Sequence, residues 1–428
     1  MKYDSNITVM RLSILLCLIF LMQRTVVGQT RIALIADRVF DGHEMHTSWI
    51  VVVEDDLIIY AGPEKGFDIS GVTTKYFNDA TLMPGMIEGH AHMFLYPYNQ
   101  TPWNDQVLKE SESYRTARAT LHARNTLLAG FTTVRDLGTE GAGYADTGLK
   151  QAIDNHVIPG PRLIISTRAI VATGSYGPKG FADHIQLPLG AEEADGHDDL
   201  IQVVRNQIGK GADFIKVYAD YRWGPHGEAM PTFSQEELEL IVKTAHSSGR
   251  YVVAHASTPE GMLRAILAGV ETIEHGDGGT PEIWELMKAH NVALCPTLAA
   301  GDAILQYGGW EKGVDPEPLR IQQKRKHFSE ALQHGVTIVA GGDVGVFEHG
   351  DNVRELEMMV DYGMKNRNVL RSVTSVNARI FHIDNEVGSI KKGMKADIIA
   401  VTGNPDKDIT VLRNVEFVMK DGKIIKEN

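Results

Sequence analysis

Leu82-Met83-Pro84-Gly85-Met86-Ile87-Glu88-Gly89-His90-Ala91-His92 is an apolar run that closes on Gly-His-x-His. A run of this kind reads as a buried strand, and side chains that repeat every second residue set His90 and His92 on one face. Two imidazoles aimed at one point suit a divalent metal at the mouth of a barrel, because neutral imidazole is a common ligand. Alone the triplet is weak. The chain holds 17 histidines, and a His-x-His pair on a surface is the commoner occurrence.

Four later runs carry further candidate ligands, three of them at the end of the run. Phe214-Ile215-Lys216-Val217-Tyr218 sets a lysine inside a β-branched and aromatic strand, where an ammonium is costly unless paired or chemically changed. Tyr251-Val252-Val253-Ala254-His255 and Val270-Glu271-Thr272-Ile273-Glu274-His275-Gly276 both run out on histidine, and Val336-Thr337-Ile338-Val339-Ala340-Gly341-Gly342-Asp343 ends on aspartate. Strand C-termini are where (β/α)₈ enzymes gather their reactive groups. Helical segments at 113–129, 198–210, 235–247 and 259–268 alternate with the runs, the pattern of a parallel βα fold. Ser234 with Glu237 three residues on predicts a capping box at one helix start. Val292-Ala293-Leu294 fits a seventh barrel strand, followed by Cys295 as a buried packing residue.

The two ends read differently. Trp49-Ile50-Val51-Val52-Val53 and Leu57-Ile58-Ile59-Tyr60, parted by Glu54-Asp55-Asp56, predict a hairpin. Asp397-Ile398-Ile399-Ala400-Val401 and the stretch 415–425, with its Asp421-Gly422 turn, predict partner strands.

The order His90-x-His92, Lys216, His255, His275, Asp343, together with Val387-Gly388-Ser389-Ile390-Lys391-Lys392-Gly393-Met394-Lys395-Ala396-Asp397-Ile398-Ile399, resembles the amidohydrolase superfamily in its binuclear-metal branch. The likeness spans nearly the whole mature chain. It is nearest to imidazolonepropionase-related and dipeptidase-like amidohydrolases, a group that includes ochratoxin-hydrolysing amidases. The resemblance implies an α/β protein: a TIM-like (β/α)₈ hydrolase barrel over 83–385, and a small β-sandwich built from both ends, 29–82 and 386–428. It also implies two divalent ions, expected to be Zn²⁺, bridged by a carboxylated Lys216. His90 and His92 would hold one ion with Asp343, and His255 and His275 the other. Carboxylation turns a cation that repels metals into an anion that binds them. A metal-bridging hydroxide would attack the carbonyl, with Asp343 taking its proton and passing it to the leaving nitrogen. The implied activity is hydrolysis of a C–N bond in a dipeptide or N-acyl amino acid.

Two other readings compete. A non-catalytic metal-binding surface protein has no need of a complete ligand set. A deaminase or cyclic-amide hydrolase on the same scaffold is disfavoured because related deaminases generally carry glutamate three residues after the fifth-strand histidine. Thr258 stands there, and Lys216 has no role with a single metal.

Substrate contacts are expected from Tyr218, on the same strand face as Lys216, and from the loop Tyr221-Arg222-Trp223, where Arg222 is placed to grip a carboxylate. Many dipeptidase-like relatives carry histidine in a Thr-Gly-Gly-His-like loop, whereas this chain reads Thr173-Gly174-Ser175-Tyr176-Gly177. They also tend to have tyrosine soon after the fifth-strand histidine; here Ala256-Ser257-Thr258 follows His255. Tyr176 is therefore expected to grip a substrate other than an Xaa-Pro dipeptide. Arg135 and Asp136 are expected to form a structural ion pair, and His184, His226 and His349 to be solvated loop residues.

Lys2 and Arg11 before the apolar stretch 12–22 predict a signal peptide over 1–28, hence an exported protein without a stable membrane span after its removal. Only Cys17 and Cys295 occur, and the first lies in that segment, so no internal disulfide is expected in the mature chain. A net charge of −13 without a basic tract argues against nucleic acid as a partner. The expected partner is a small-molecule substrate, with a homo-oligomer left open.

Overall fold

The computed structural model describes residues 31–182 and 184–427; the expected signal segment lies outside the described residues. Barrel strands Met86–Ala91, Phe131–Asp136 and Arg162–Ile165 pair in parallel, as do Ile215–Tyr218, Val252–Ala256, Thr272–His275 and Ala293–Cys295. The arcs meet where the Asp213 N–H donates to the Ile165 carbonyl at 2.8 Å. The third strand then breaks and resumes at Ile170–Val171, where Ile170 faces Val217. Intervening helices Glu112–Leu128, Gly196–Gly209, Gln235–His246 and Pro259–Ala268 fall within two residues of expectation. The capping box at Ser234 and Glu237 is formed.

The eighth run departs from expectation. Residues 336–343 form no continuous strand; closure rests on two isolated bridges, Leu294 with Ile338 and Ala91 with Val344. Close approach is the physical reason. A Cβ on Gly341 would meet His90 N at 2.6 Å, and one on Gly89 would meet the Ala340 carbonyl oxygen at 2.4 Å. Glycines let the first and last barrel segments touch, and Asp343, at φ 62°, then turns the chain off the ladder.

Strands from both ends form one eight-stranded sheet. Arg31–Phe40 runs parallel to Thr73–Pro84 and antiparallel to Trp49–Glu54, which forms the expected hairpin with Leu57–Pro63. Thr73–Pro84 pairs on its other side with Ile398–Thr402, followed by Val415–Lys420 and Lys423–Glu427. Alternate residues serve two apolar clusters, Leu34 and Val51 in one, Ala33 and Val52 in the other, so both faces are covered. The long strand Thr73–Pro84 leads through Gly85 straight into the strand that carries His90. Among the described residues no helix is long and apolar enough to cross a membrane.

Candidate metal centre and substrate cavity

His90, His92, His255, His275, Lys216 and Asp343 converge at the C-terminal ends of the barrel strands. Ring centroids lie 5.4 Å apart for His90 and His92, 5.2 Å for His90 and His275, and 4.5 Å for His255 and His275. Asp343 Oδ1 lies 3.4 Å from His92 Nε2 and 3.7 Å from His90 Nε2. His90, His275 and Asp343 each offer a ligand atom within 4.8 Å of the others.

Outer partners orient the rings. His90 Nδ1 sits 2.8 Å from Glu274 Oε2, and His92 Nδ1 lies 2.8 Å from the Gly138 carbonyl. An acceptor at Nδ1 favours a proton there and turns each Nε2 toward Asp343. His275 Nδ1 meets Thr297 Oγ1 at 2.7 Å. Burial, with neighbouring positive charge, holds His90 and His275 well below the usual imidazole range and His255 at about 3. All three are therefore neutral, the ligating form. Asp343 Oδ1 is buried without a hydrogen-bond partner, and burial lifts its carboxyl to about 6. Neutral nitrogens around an orphaned carboxylate oxygen fit a divalent ion, since such an oxygen is costly to bury with nothing to meet it.

Lys216, 1% exposed, pairs in register with Val253 of the strand that carries His255, its Nζ 5.5 Å from the Tyr218 ring centroid. Burial lowers its pKa to about 8. His275 at φ 73° and Asp343 at φ 62° occupy the left-handed region, each at a cost of roughly 1–3 kcal/mol for a residue other than glycine. Such strain persists where surroundings over-determine it. The Lys324 ammonium donates to the His275 carbonyl at 2.6 Å, and the Asp343 N–H to that of His90 at 2.8 Å.

Arg135 does not pair with Asp136. Adjacent strand residues point to opposite faces, and the Arg135 guanidinium instead meets Glu274 Oε1 at 2.8 Å, the Gly89 carbonyl at 2.7 Å and the face of Phe381. Glu274 thus ties Arg135 to His90. It was missed because a carboxylate beside a strand-end histidine reads as solvated, whereas His275's positive φ breaks the alternation. Arg135→Ala leaves Glu274 buried and unpaired, so a loss of roughly 3–5 kcal/mol is expected in denaturant unfolding. A change below 1 kcal/mol would show that the pair contributes little.

A cavity of about 650 Å³ opens onto His92, His255, His275 and Asp343. Tyr176, Tyr218 and Arg222 line it as expected, and Glu140, Tyr98 and Trp103 join them. Burial and the Glu140 charge raise the Tyr176 and Tyr218 hydroxyls well above the usual phenol range, keeping both as donors. Ser257 also faces the cavity. Thr258 instead caps the helix Pro259–Ala268 through Gly261 N–H and donates to Asp220 Oδ2 at 2.7 Å. Trp223 lies at the surface, its indole N–H on the Pro231 carbonyl at 3.0 Å. His184 and His226 are exposed. His349 is not solvated: it stacks on His122 with centroids 4.1 Å apart, buried because its loop folds against the helix Glu112–Leu128. Cys295 packs fully buried, its thiol pushed up by burial.

The chain belongs to the amidohydrolase family, whose model matches residues 81–425. It is accordingly a hydrolase acting on carbon–nitrogen bonds, in a family whose members generally use a binuclear metal centre. It is 28% identical over 427 residues to an ochratoxinase of Aspergillus niger, covering 90% of this chain and 84% of that protein. Among solved structures it is similar to a Xaa-Pro dipeptidase with methionine in its active site, at 31% identity and a TM-score of 0.82, over 92% of this chain and all of that one. A prolidase complexed with N-methylphosphonate-L-proline is 27% identical with a TM-score of 0.80, over 93% and 100% of the two chains.

Proposed function

We propose that this protein hydrolyses the amide bond of a small carboxylate-bearing substrate, a dipeptide or an N-acyl amino acid. Its binuclear centre, with zinc as the expected metal, is held by His90, His92, His255, His275, Asp343 and a carboxylated Lys216. The carrying observation is the orphaned Oδ1 of Asp343 facing imidazoles whose Nδ1 atoms meet acceptors on Glu274 and Gly138. When bound, the metal pair supplies Lewis acidity toward the substrate carbonyl and acidifies water. The chain's own residues do the rest. Asp343, lifted to about 6, is charged at neutral pH and accepts a proton, which it returns to the leaving nitrogen. Arg222 and Ser257 face the cavity where the substrate carboxylate must settle. The ochratoxinase and Xaa-Pro dipeptidase likenesses support hydrolysis of an amide-type bond. Residues 1–28 support export, in which case the enzyme meets its substrate outside the cytoplasm.

The test is a panel of dipeptides and N-acyl amino acids with zinc-loaded protein, combined with elemental analysis. About two ions per chain and release of a free amino acid are expected. Metal-loaded protein that cleaves none of them would overturn the reading. Within that panel, Xaa-Pro substrates are expected to be no better than their Xaa-Ala counterparts. A phenol at Tyr176 and a small hydroxyl at Ser257 alter the groups a proline substrate would leave unpaired. Selective Xaa-Pro cleavage would show that these two positions do not set specificity.

A further inference from the structure

Glu140 is a carboxylate of the cavity that the chemistry at the metal centre does not use. Glu140 is 3% exposed, yet lines the cavity. Its Oε2 accepts from the Trp103 indole N–H at 2.9 Å and the Tyr176 hydroxyl at 2.5 Å, while the Tyr218 hydroxyl lies 3.4 Å from Oε1. All three donors are neutral. Among the described residues no lysine, arginine or histidine nitrogen comes within 4.0 Å of this carboxylate. Arg115, the cation beside it, donates to backbone carbonyls of Glu140, Thr139 and Phe94. Burying a carboxylate without an opposite charge is unfavourable, and neutral donors offset only part of that.

The walls around Glu140 supply the second observation. Tyr176 packs edge-on to Trp103 at 5.4 Å, and lies 4.9 Å from Tyr218 and 4.8 Å from Tyr221, centroid to centroid. Aromatic rings attract a cation through their electron-rich faces, and a carboxylate set among them completes a receptor for an organic ammonium. An anion would be repelled here, and a neutral alkyl group would leave the carboxylate without an opposite charge. Glu140 also stands at φ 49°, a conformation that residues with a side chain seldom adopt. The loop holds it there, which fixes where its carboxylate is presented.

We propose that Glu140 and the rings of Trp103, Tyr176 and Tyr221 receive an ammonium group carried by the acyl half of the substrate, with Tyr218 contributing its hydroxyl because its ring is stacked on His255. This rests on the amide-hydrolase reading and narrows it. Either the α-ammonium of a dipeptide or an ammonium further along the acyl chain provides the same chemistry.

The experiment uses zinc-loaded wild-type enzyme and four substrates with leucine as the common leaving amine. Alanyl-leucine is matched by 2-methylpropanoyl-leucine, the same shape without the charge. Similarly, 6-aminohexanoyl-leucine is matched by heptanoyl-leucine. One ammonium-bearing substrate is expected to exceed its neutral partner in kcat/KM by roughly 10²-fold or more, and the pair that shows the gap identifies the source of the cation. Glu140→Gln keeps the shape and removes the charge, so the gap should shrink below about tenfold, chiefly through KM. Neutral substrates cleaved as well as their ammonium partners would overturn the inference while leaving amide hydrolysis intact. Cleavage of none would overturn the amide reading and this inference with it. The wild-type comparison needs no variant, so a misfolded Glu140→Gln would not rescue the idea.

Discussion

Asp343→Asn should lower kcat by roughly 10²-fold or more while the fold and much of the metal remain. The backbone supports this separation. Asp343 sits at φ 62°, a region that asparagine enters as readily as aspartate, so the turn after Gly341-Gly342 survives the exchange. Its N–H bond to the His90 carbonyl is untouched. What disappears is a carboxylate that can hold a proton between its acceptance from water and its delivery to the departing nitrogen. The amide oxygen still faces the imidazoles as a weaker donor to a metal. Turnover with the best panel substrate, elemental analysis and a melting curve measure the three quantities separately. A kcat within threefold of wild type would place the proton acceptor elsewhere, and a collapse of the melting temperature would make Asp343 structural.

The histidine and aspartate ligands were legible because they close apolar runs, and a strand end presents its last side chains to the barrel mouth; Lys216 was legible as a charge inside such a run. Their orienting partners were not. Glu274 reads in sequence as one more polar residue, and only His275's left-handed backbone and the inward reach of Arg135 show that it is fully buried. Glu140 lies five residues beyond Phe131–Thr132–Thr133–Val134–Arg135, in a loop with no periodicity, where Trp103 and Tyr176 reach it from distant parts of the chain. The eighth segment looked like a strand on composition. Its glycines, which in a strand weaken the ladder, mark the close contact with the segment carrying His90. Hairpin, capping box and helices were readable because their signals are local, whereas buried polar partnerships are made across the barrel.

Lys216→Ala should lose metal and activity together, by more than the roughly 10–100-fold that removing an outer hydrogen-bond partner of a metal ligand costs. The prediction follows from where the amine stands. A lysine in the strand Ile215–Tyr218, 1% exposed, has burial lowering its pKa to about 8, so part of the population is the free amine at neutral pH. That form can add CO₂, forming an N–C bond and releasing a proton, to give a carbamate. The product would carry a negative charge where an ammonium would repel any cation beside His90, His255 and His275, which would account for a lysine at this position. Removing the side chain also removes a buried charge, so the variant is expected to fold, and circular dichroism would check this before metal is counted. Lys216→Arg separates charge from carboxylation, since it stays cationic and forms no carbamate; it should be folded, metal-poor and inactive. Partial recovery of both metal and turnover in Lys216→Ala on adding formate or acetate would supply the missing bridge from solution. Full activity with a full metal complement in unsupplemented Lys216→Ala would exclude the carbamate, because nothing else at that position in the strand could then be holding the ions together.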